Sequence, residues 1–428
     1  MLNVMKRIKV IARKVIPKNA IKSAEEQYRL GKAKLATARY GKPSGELKVI
    51  AVTGTNGKTT TCTYINEVLK AGGFTTAVNT TAFQEIAGVR SANTNHMTVA
   101  SVWSVLKFMS EAKKANVDWV ILEVTSHALD QHRLRGVHVD IAVVTNLSQD
   151  HLDYHGTMDA YAEAKARLLT EYGAEKVVLN ADDEWFEYFA GKRKDKPFTV
   201  GRSKATHQIK SLNLTAEGTS FTLISSAATV PVSTKLVGEF NVYNAAQAMV
   251  AGQAAGVSAQ DAAKGIANVY GVPGRLEPVV AGQPFAVLVD YAHTPDAIEN
   301  VLKALQAIAK GKVRLVFGAT GDRDAKKRPI MGAIAAKNAD MIYLTDDETY
   351  TESPEAIRAA VRTGIEAEKG TYVEIADRKA AIKQAFADAQ PNDVVLLAGI
   401  GHQDYRAMGG KKEPWDEREV ARELLVNR

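Results

Sequence analysis

Short apolar runs alternate with helical patterns along almost the whole chain, and that alternation restricts the fold more than any other feature. The runs "KVIAVTG", "DWVILEV", "DIAVVTNL" and "KVVLNA" come first, followed by "FAVLVDYA", "VRLVFGA", "DMIYLTDD" and "DVVLLAG". Segments 157–172, 241–256, 295–309 and 378–389 carry helical periodicity between or after them. Apolar strands separated by helices build a parallel sheet covered on both faces, whose strand ends carry ligand-binding loops. Residues 206–238 change texture to alternating β-branched and polar residues, which predicts a small antiparallel appendix on the first sheet. Pro273, Gly274 and Pro278 in "YGVPGRLEPV" precede a fresh strand and place a hinge near 270–277. The expected class is α/β. A central domain over 47–274 holds the parallel sheet with its appendix, and a Rossmann-like C-terminal domain covers 275–428.

Charge sets the beginning of the chain apart. The 428 residues carry a net charge of +7, yet residues 1–50 hold 13 Lys and Arg against 3 Asp and Glu, so the rest is slightly acidic. Residues 1–46 read as a basic helical extension. In a helix, Val4, Ile8, Ile11 and Val15 share one face, with Lys6, Arg7, Lys9, Arg13 and Lys14 mostly around the other. Such a helix over residues 1–20 can rest on the anionic inner face of a membrane or pack on its own protein, and the residues leave both open. It lacks the apolar centre of a signal peptide, and no stretch is long enough to span a bilayer. A basic excess confined to the tail, without interleaved aromatics, argues against a nucleic-acid enzyme. The single cysteine, Cys62, excludes internal disulfides and cysteine-cluster zinc sites, and fits a reducing cytoplasm. Its position reads as that of a helix-packing thiol.

"VTGTNGKTTT", Val52 to Thr61, lies between the apolar run "LKVIAV" and a helical pattern that starts at Thr59. The usual phosphate loop has a glycine where this chain has Val52, so the spacing here is shorter. It runs Gly54, Thr55, Asn56, Gly57, Lys58, Thr59 and Thr60. A loop at a helix N-terminus still offers backbone N–H groups and a helix dipole to phosphate, Lys58 offers a point charge, and Thr59 offers a hydroxyl to Mg2+. Strand, loop and helix arriving in this order argue against a chance glycine turn.

Downstream, "VILEVTSHALDQHRLRG" places Glu123 at the end of a buried strand, where P-loop proteins keep a second metal-binding side chain; it is a candidate partner of Thr59 on Mg2+. "TNLSQDHLDYHGTMDAYAEAKARLL" then places Asp150, His151, Asp153 and His155 past another strand and Lys165 on a helix. One such cluster on a loop is ordinarily structural; two at strand ends beside a P-loop strand shift the balance toward function.

The segments "GTNGKTT", "EVTSHALDQHR", "TNLSQDHLDYHGTMDAYAEAK", "GEFNVYNA", "VPGRLE", "DYAHTPDAIENVL", "GATGDRDAKKRP" and "GHQDYRAMGG" occur in this order over roughly residues 48–425. Together they resemble the Mur ligase family, most closely its MurE type, which joins an amino acid to a UDP-N-acetylmuramoyl dipeptide. The resemblance implies that ATP phosphorylates a substrate carboxylate and that an amine displaces phosphate from the acyl phosphate. It implies ATP contacts from Gly54 to Thr60, with Lys58 on the β- and γ-phosphates, and from Asn244, Arg275, Asp290 and His293. Asn244 would meet adenine, although a helix-start cap is its plainer reading. Two Mg2+ sites are implied, Thr59 with Glu123 at one and His151 at the other, supported by a carbamylated Lys165. Lys58, His151 and Lys165 are the implied catalytic residues. For the muramoyl peptide, Thr98 matches the first of two family threonines while Val99 replaces the second; Thr125 replaces a serine, and Gln131 and Arg133 match. On the amino-acid side, Arg328 matches a carboxylate-binding arginine, with Asp346, Gly399 and Gln403 nearby in the pattern.

The chain also departs from the pattern. Only about 47 residues precede the P-loop strand, where a full MurE-type enzyme carries a uridine-nucleotide domain, so that domain is expected to be missing or a stub. The acceptor would then be held by its sugar and peptide, or by a lipid carrier reached through the basic helix. Diaminopimelate-adding members carry Asp-Asn-Pro-Arg and "GHEDY"; here these are "DDETY", Asp346 to Tyr350 without arginine, and "GHQDY" with Gln403. Losing a bidentate arginine disfavours a zwitterionic distal group. Asp346, Asp347 and Glu348 would suit a cationic side chain such as that of lysine, unless they are simply solvated. The leading expectation is an ATP-dependent amide-forming ligase of cell-wall peptide synthesis. The alternatives are an amino-acid ligase on another carboxylate, as in folylpolyglutamate synthetase, and a catalytically idle Mur-like binding protein.

Overall fold

A computed structural model describes residues 18–41, 43–93, 98–215 and 218–427; most of the amphipathic helix expected over residues 1–20 lies outside the described residues. Eleven strands form the first sheet: β1 Lys48–Thr53, β2 Thr76–Asn79, β3 Phe83–Ile86, β4 Val89–Ala92, β5 Trp119–Glu123, β6 Ile141–Val144, β7 Lys176–Asn180, β8 Phe198–Gly201, β9 His207–Thr215, β10 Gly218–Ser225 and β11 Thr229–Thr234. Their order is β11-β10-β9-β8-β7-β6-β1-β5-β2-β3-β4. Pairing from β9 across to β2 is parallel, and antiparallel pairs close both edges.

The expected appendix at 206–238 is the β9–β11 edge, where residues alternate between buried and exposed on β11. The β3–β4 hairpin on the other edge was not expected. Its turn uses Ala87 at φ 49° and Gly88 at φ 84°, and the first of these is not one of the residues that normally announce a left-handed turn.

β1 lies at the centre of the site because of its register. Val52 pairs with Glu123 on one side and Thr53 with Val144 on the other, so the loop after β1, the end of β5 and the segment after β6 emerge side by side. Helices cover both faces of the sheet. Lys18–Tyr40, Val102–Lys114 and Met158–Thr170 bury one core, which includes Ala33, Ala36, Leu106 and Leu169. Lys58–Ala71, Glu239–Ala254 and Ala259–Ala267 bury the other, which includes Cys62, Ile65, Met249 and Ile266. Cys62 is fully buried, as expected of a packing thiol.

The second sheet comprises β12 Glu277–Pro278, β13 Ala286–Asp290, β14 Val313–Phe317, β15 Met341–Leu344, β16 Tyr372–Glu374 and β17 Val394–Ala398, in the order β12-β13-β17-β14-β15-β16. All its pairs but β12–β13 are parallel, and separate cores lie on its two faces. A small hairpin, β18 Tyr405–Met408 with β19 Lys411–Pro414, follows. Among the described residues no helix is long and apolar enough to cross a membrane.

Two helices on the second sheet, Lys327–Asn338 and Pro354–Ala367, approach until their backbones nearly touch. A Cβ at Gly332 would lie 2.1 Å from the Val361 carbonyl oxygen, and one at Gly364 would lie 1.8 Å from that of Pro329. Backbone cannot yield as a flexible side chain does, so overpacking here forces the helices apart. Gly364→Ala is expected to lower stability by about 1–3 kcal/mol, read as a lower urea midpoint; an unchanged midpoint contradicts the close approach.

Candidate functional site

The loop Gly54–Gly57 is held from behind by the segment that follows β6. Thr145 Oγ1 donates to the Asn56 carbonyl at 2.6 Å, Asn146 Oδ1 accepts the Asn56 N–H at 2.9 Å, and the Asn146 carbonyl accepts the Thr55 N–H at 3.0 Å. Thr55 Oγ1 accepts the Ser148 N–H at 3.0 Å. Gly54 and Gly57 have φ of 148° and 80°, and a Cβ at either would strike Thr145 Oγ1 at 1.8 Å or Asn244 Oδ1 at 2.2 Å. Gly57 is the N-cap of Lys58–Ala71 and supplies no side-chain cap, so the first-turn amides present their N–H groups outward.

Charged groups gather around this loop. Lys58 Nζ donates to the Thr55 carbonyl at 2.6 Å and Lys165 Nζ to that of Gly54 at 2.6 Å. Burial, then the nearby Lys58 charge, pushes the Lys165 ammonium well below the usual lysine range. Burial also lowers Lys58. Glu123 accepts from Thr59 Oγ1 at 2.9 Å and from the N–H and hydroxyl of Thr81 at 2.9 and 3.0 Å. Burial takes His151 down to about 3 although Asp150, 3.3 Å away, opposes the change. Burial works against ionisation of Asp150, but His151, Lys327 and His293 hold its carboxyl well below the usual range. The His127 ring sits 4.7 Å from that of His151 and 5.5 Å from that of His155. Burial lowers His127 and brings His155 to about 4, so this cluster is uncharged at neutral pH. Among the described residues no three His, Cys, Asp or Glu side chains converge as a metal held by them alone requires.

The second sheet contributes the opposite wall. Arg275 Nη2 reaches Thr59 Oγ1 at 3.3 Å, with its guanidinium 4.9 Å from the Tyr291 ring centre. Asp290 accepts the N–H groups of Leu276 and Ala292 at 2.7 Å each, and burial raises its carboxyl. His293 Nδ1 donates to the Tyr291 carbonyl at 2.6 Å, and burial takes the ring down to about 4. Further polar contacts cross between the two halves: Asn56 to Asp296 at 2.5 Å, Gln149 to Asp324 at 3.2 Å, and Lys327 to Asp150 at 3.7 Å. The cleft between the two walls has a volume of about 1320 Å³.

Most of the residues expected at the site line this cleft: Thr55 to Thr60, Glu123, His151, Asn244, Arg275, Asp290 and His293. Asn244 is not a helix-start cap, since that position belongs to Gly238; its side chain accepts from Thr61 at 3.3 Å and donates to Asn241 at 3.1 Å. Thr98, Thr125 and Arg133 line the same cleft. Gln131 stands just behind, accepting from Arg133 Nη2 at 2.7 Å. Gly54 and Lys165 lie beneath the loop and do not line the cleft.

The remaining group collects at the ends of β14, β15 and β17. Arg328 is paired bidentately with Glu352 at 2.8 and 2.9 Å, and Asp346 is paired with Arg358. A Cβ at Gly399 would meet Asp347 Oδ2 at 2.0 Å, and Gln403 donates to the Tyr291 hydroxyl at 3.4 Å. Asp347 and Glu348 are buried, so "DDETY" is no solvated acidic loop. Burial, reinforced by Asp347, raises Glu348 to about 7.

Sequence reasoning passed over Asn146, Tyr161, Asp296 and Lys327. Tyr161 packs its ring 4.5 Å from Lys165 Nζ and its hydroxyl 3.2 Å from Thr55 Oγ1. All four sit inside quoted motifs, and position just past a strand end is the signal that would have found Asn146.

Comparison with known proteins bears directly on this arrangement. Residues 52–252 match the Mur ligase middle domain, and residues 274–401 match the Mur ligase glutamate ligase domain. The chain is 41% identical to a UDP-N-acetylmuramoyl-L-alanyl-D-glutamate–2,6-diaminopimelate ligase of Geobacillus kaustophilus, covering 92% of this chain and 82% of that one. Identity to the ligase of the same name from Synechococcus elongatus is 42%, over 92% and 80%. A solved structure of a ligase of that name superposes with a TM-score of 0.62 at 35% identity, covering 89% of this chain and 78% of that chain. E. coli FolC in complex with ADP shares the fold, with a TM-score of 0.68 at 23% identity over 86% and 90%.

The state of Lys165 makes a prediction that does not depend on activity. Burial holds its amine well below the usual lysine range in the folded protein but not in the unfolded chain, so the unfolded state binds the proton more tightly. Stability should therefore rise with pH toward the ordinary lysine value of 10.5. In buffer free of carbon dioxide, Lys165→Met is expected to melt above the wild type at about pH 7, with the gap closing toward about pH 10. A wild type at least as stable as the variant at neutral pH contradicts this.

Proposed function

Because the chain belongs to the Mur ligase family, we propose that it is an ATP-dependent ligase that joins an amino acid to a muramoyl-peptide carboxylate. The observation that carries this reading is the gathering of Lys58, the Thr59–Glu123 pair and Arg275 around one outward-facing loop, in a cleft that also holds Thr98, Thr125 and Arg133. Residues 47–274 and 275–428 act as two domains about the hinge at 270–277, and the contacts between the two halves support closure of one on the other.

A carboxylate is a poor electrophile because its oxygen leaves poorly. In the first step a carboxylate oxygen of the acceptor attacks the γ-phosphorus of ATP and ADP leaves. In the second the amine of the incoming amino acid attacks the acyl carbon, loses a proton, and expels phosphate as the amide forms. The first-turn amides, Lys58 and Arg275 orient the phosphates and meet the charge that develops on them.

The donor set at the loop fits Mg2+, which prefers hard oxygen ligands and few protein groups: the Thr59 hydroxyl and the Glu123 carboxylate would hold one ion. His151 would serve a second, being uncharged and able to ligate. Bound Mg2+ supplies charge neutralisation between the phosphates. Burial holds the Lys165 ammonium well below the usual lysine range, which favours the free amine that reacts with carbon dioxide. A carbamate there would replace a cation with an anion beneath the phosphate loop. Asn244 serves the adenine, with Asp290 and His293 on the far wall.

For the incoming amino acid the chain lacks the arginine of the diaminopimelate pattern, carrying Tyr350 at the end of "DDETY" and Gln403 in "GHQDY". Arg328 would take the α-carboxylate by exchanging it for Glu352, while Asp346 is already neutralised by Arg358. Glu348, buried and acidic, supports a cationic side chain over a zwitterionic one.

The test is phosphate release with ATP, a UDP-muramoyl dipeptide and each candidate amino acid, lysine and diaminopimelate included. Release should require acceptor and amino acid together, and Lys165→Ala should reduce it by at least about a hundredfold. Amino-acid-dependent release that survives Lys165→Ala unchanged would sink the role given to Lys165, and no release with any amino acid would sink the ligase reading.

A further inference from the structure

The helix Lys18–Tyr40 turns one stripe toward the protein and another toward solvent. Ala33 and Ala36 are buried in the core below, and Tyr40 packs edge-on against Trp103 at 5.9 Å. Thr37 lies against Gly136, where an added Cβ would stand 3.1 Å from its hydroxyl. These contacts tie the helix to the body of the protein. At intervals of four, three and four residues, Tyr28, Lys32, Leu35 and Arg39 share a second stripe, and all four are exposed. Tyr28 is 63% and Leu35 64% exposed, large apolar groups two turns apart on one face. Lys34 is exposed beside them, and the small residues Gly31 and Ala38 fill the rest of that side.

This face carries charge that the protein does not neutralise. From Gln27 to Gly41 the basic residues are Arg29, Lys32, Lys34 and Arg39, and no acidic residue lies among them. Among the described residues Lys32, Lys34 and Arg39 form no ion pair. Lys32 Nζ lies instead 4.6 Å from the Tyr28 ring centre, and the Arg39 guanidinium 5.6 Å from that of Tyr40. The neighbouring helix Val102–Lys114 behaves differently: Lys107 is paired with Glu111 at 3.7 Å and Lys113 with Glu46 at 2.6 Å. On the scale of the whole chain the first 50 residues hold 13 Lys and Arg against 3 Asp and Glu, and the remainder is slightly acidic. The molecule is polarised, with this helix at its positive end.

We propose that the outer face of the helix Lys18–Tyr40 docks the protein on an anionic lipid surface. Lys32, Lys34 and Arg39 meet the headgroup phosphates, and Tyr28 and Leu35 enter the headgroup layer between them. The sequence alone offered residues 1–20 for such a contact; this face belongs to a different segment, one fixed to the folded body. A merely solvated basic face has no use for an exposed leucine and tyrosine, and a nucleic acid has no apolar layer for Leu35 to enter. A bilayer interface takes both kinds of group: cations are drawn to its anionic phosphates, tyrosine rings settle at headgroup depth, and aliphatic side chains bury shallowly. The attachment is peripheral and does not depend on the reaction proposed for the cleft.

Co-sedimentation of the full chain with phosphatidylcholine vesicles, with and without phosphatidylglycerol, tests the docking face. The wild type should bind only the anionic vesicles, and less as salt is raised. Lys32→Gln, Lys34→Gln and Arg39→Gln combined should lower the partition coefficient roughly a hundredfold, about fivefold for each cation. Tyr28→Ser with Leu35→Ser should lower it roughly tenfold, and Lys310→Gln, an exposed charge on the other half of the molecule, should change nothing. Because Cys62 is buried, a cysteine introduced by Leu35→Cys takes an environment-sensitive fluorophore selectively. Its emission should shift to the blue on anionic vesicles, whereas the same label at Val426→Cys, 71% exposed on the C-terminal helix, should not respond. No binding of the wild type to anionic vesicles, binding that survives the triple variant unchanged, or an unshifted label at position 35 overturns the proposal. Equal binding to a nucleic-acid duplex, lost in the triple variant but not in the serine variant, assigns the face to nucleic acid and overturns it too. The assay involves no turnover, so its result stands apart from the ligase reading, and unfolding curves establish that each variant is folded.

Discussion

The backbone of residues 54–57 can face a triphosphate only because the segment after β6 grips it from behind. Thr145, Asn146 and Ser148 satisfy the polar groups on the inner side of the loop, so its remaining amides are free to point outward. The two glycines are required by that grip as much as by their backbone angles, since a Cβ at either would collide with the residues that hold the loop. The register of β1 between β5 and β6 sets everything else in reach: Glu123 arrives from one neighbour, Asp150 and His151 from the other.

Burial, more than pairing, decides the charge state of the site. Lys58 and Lys165 approach the same loop from above and below, and two ammonium groups so placed would repel by a few kcal/mol at an effective interior dielectric. Burial counters this by holding Lys165 well below the usual lysine range, with its nitrogen donating to a carbonyl. The histidines around it are neutral for the same reason. Positive charge is thereby concentrated where it serves phosphate, on Lys58 and Arg275, the latter supplied across the cleft by the second sheet.

Much of this was legible in the sequence because it is local. Each apolar run quoted at the outset is a strand, and the loop, Glu123 and the 150–151 pair stand at strand ends as their spacing implied. What escaped depends on partners far apart in the chain. Arg328 is engaged by Glu352, just ahead of the helix Pro354–Ala367, and Asp346 by Arg358 within it, a helix that no motif announces. The acidic "DDETY" stretch looks solvated as text but is buried beneath the β18–β19 hairpin, where the Ala407 N–H bonds to Glu348. Gln131, read as a substrate contact, does not line the cleft itself but accepts two hydrogen bonds from Arg133, which does.

The account stands or falls on the destination of the γ-phosphoryl group. If the acceptor carboxylate is prepared with a heavy oxygen isotope and turned over with unlabelled ATP, the phosphate released should carry one heavy oxygen from the carboxylate in every turnover. Phosphate that emerges unlabelled while the amide forms would contradict activation of the acid by ATP in this cleft.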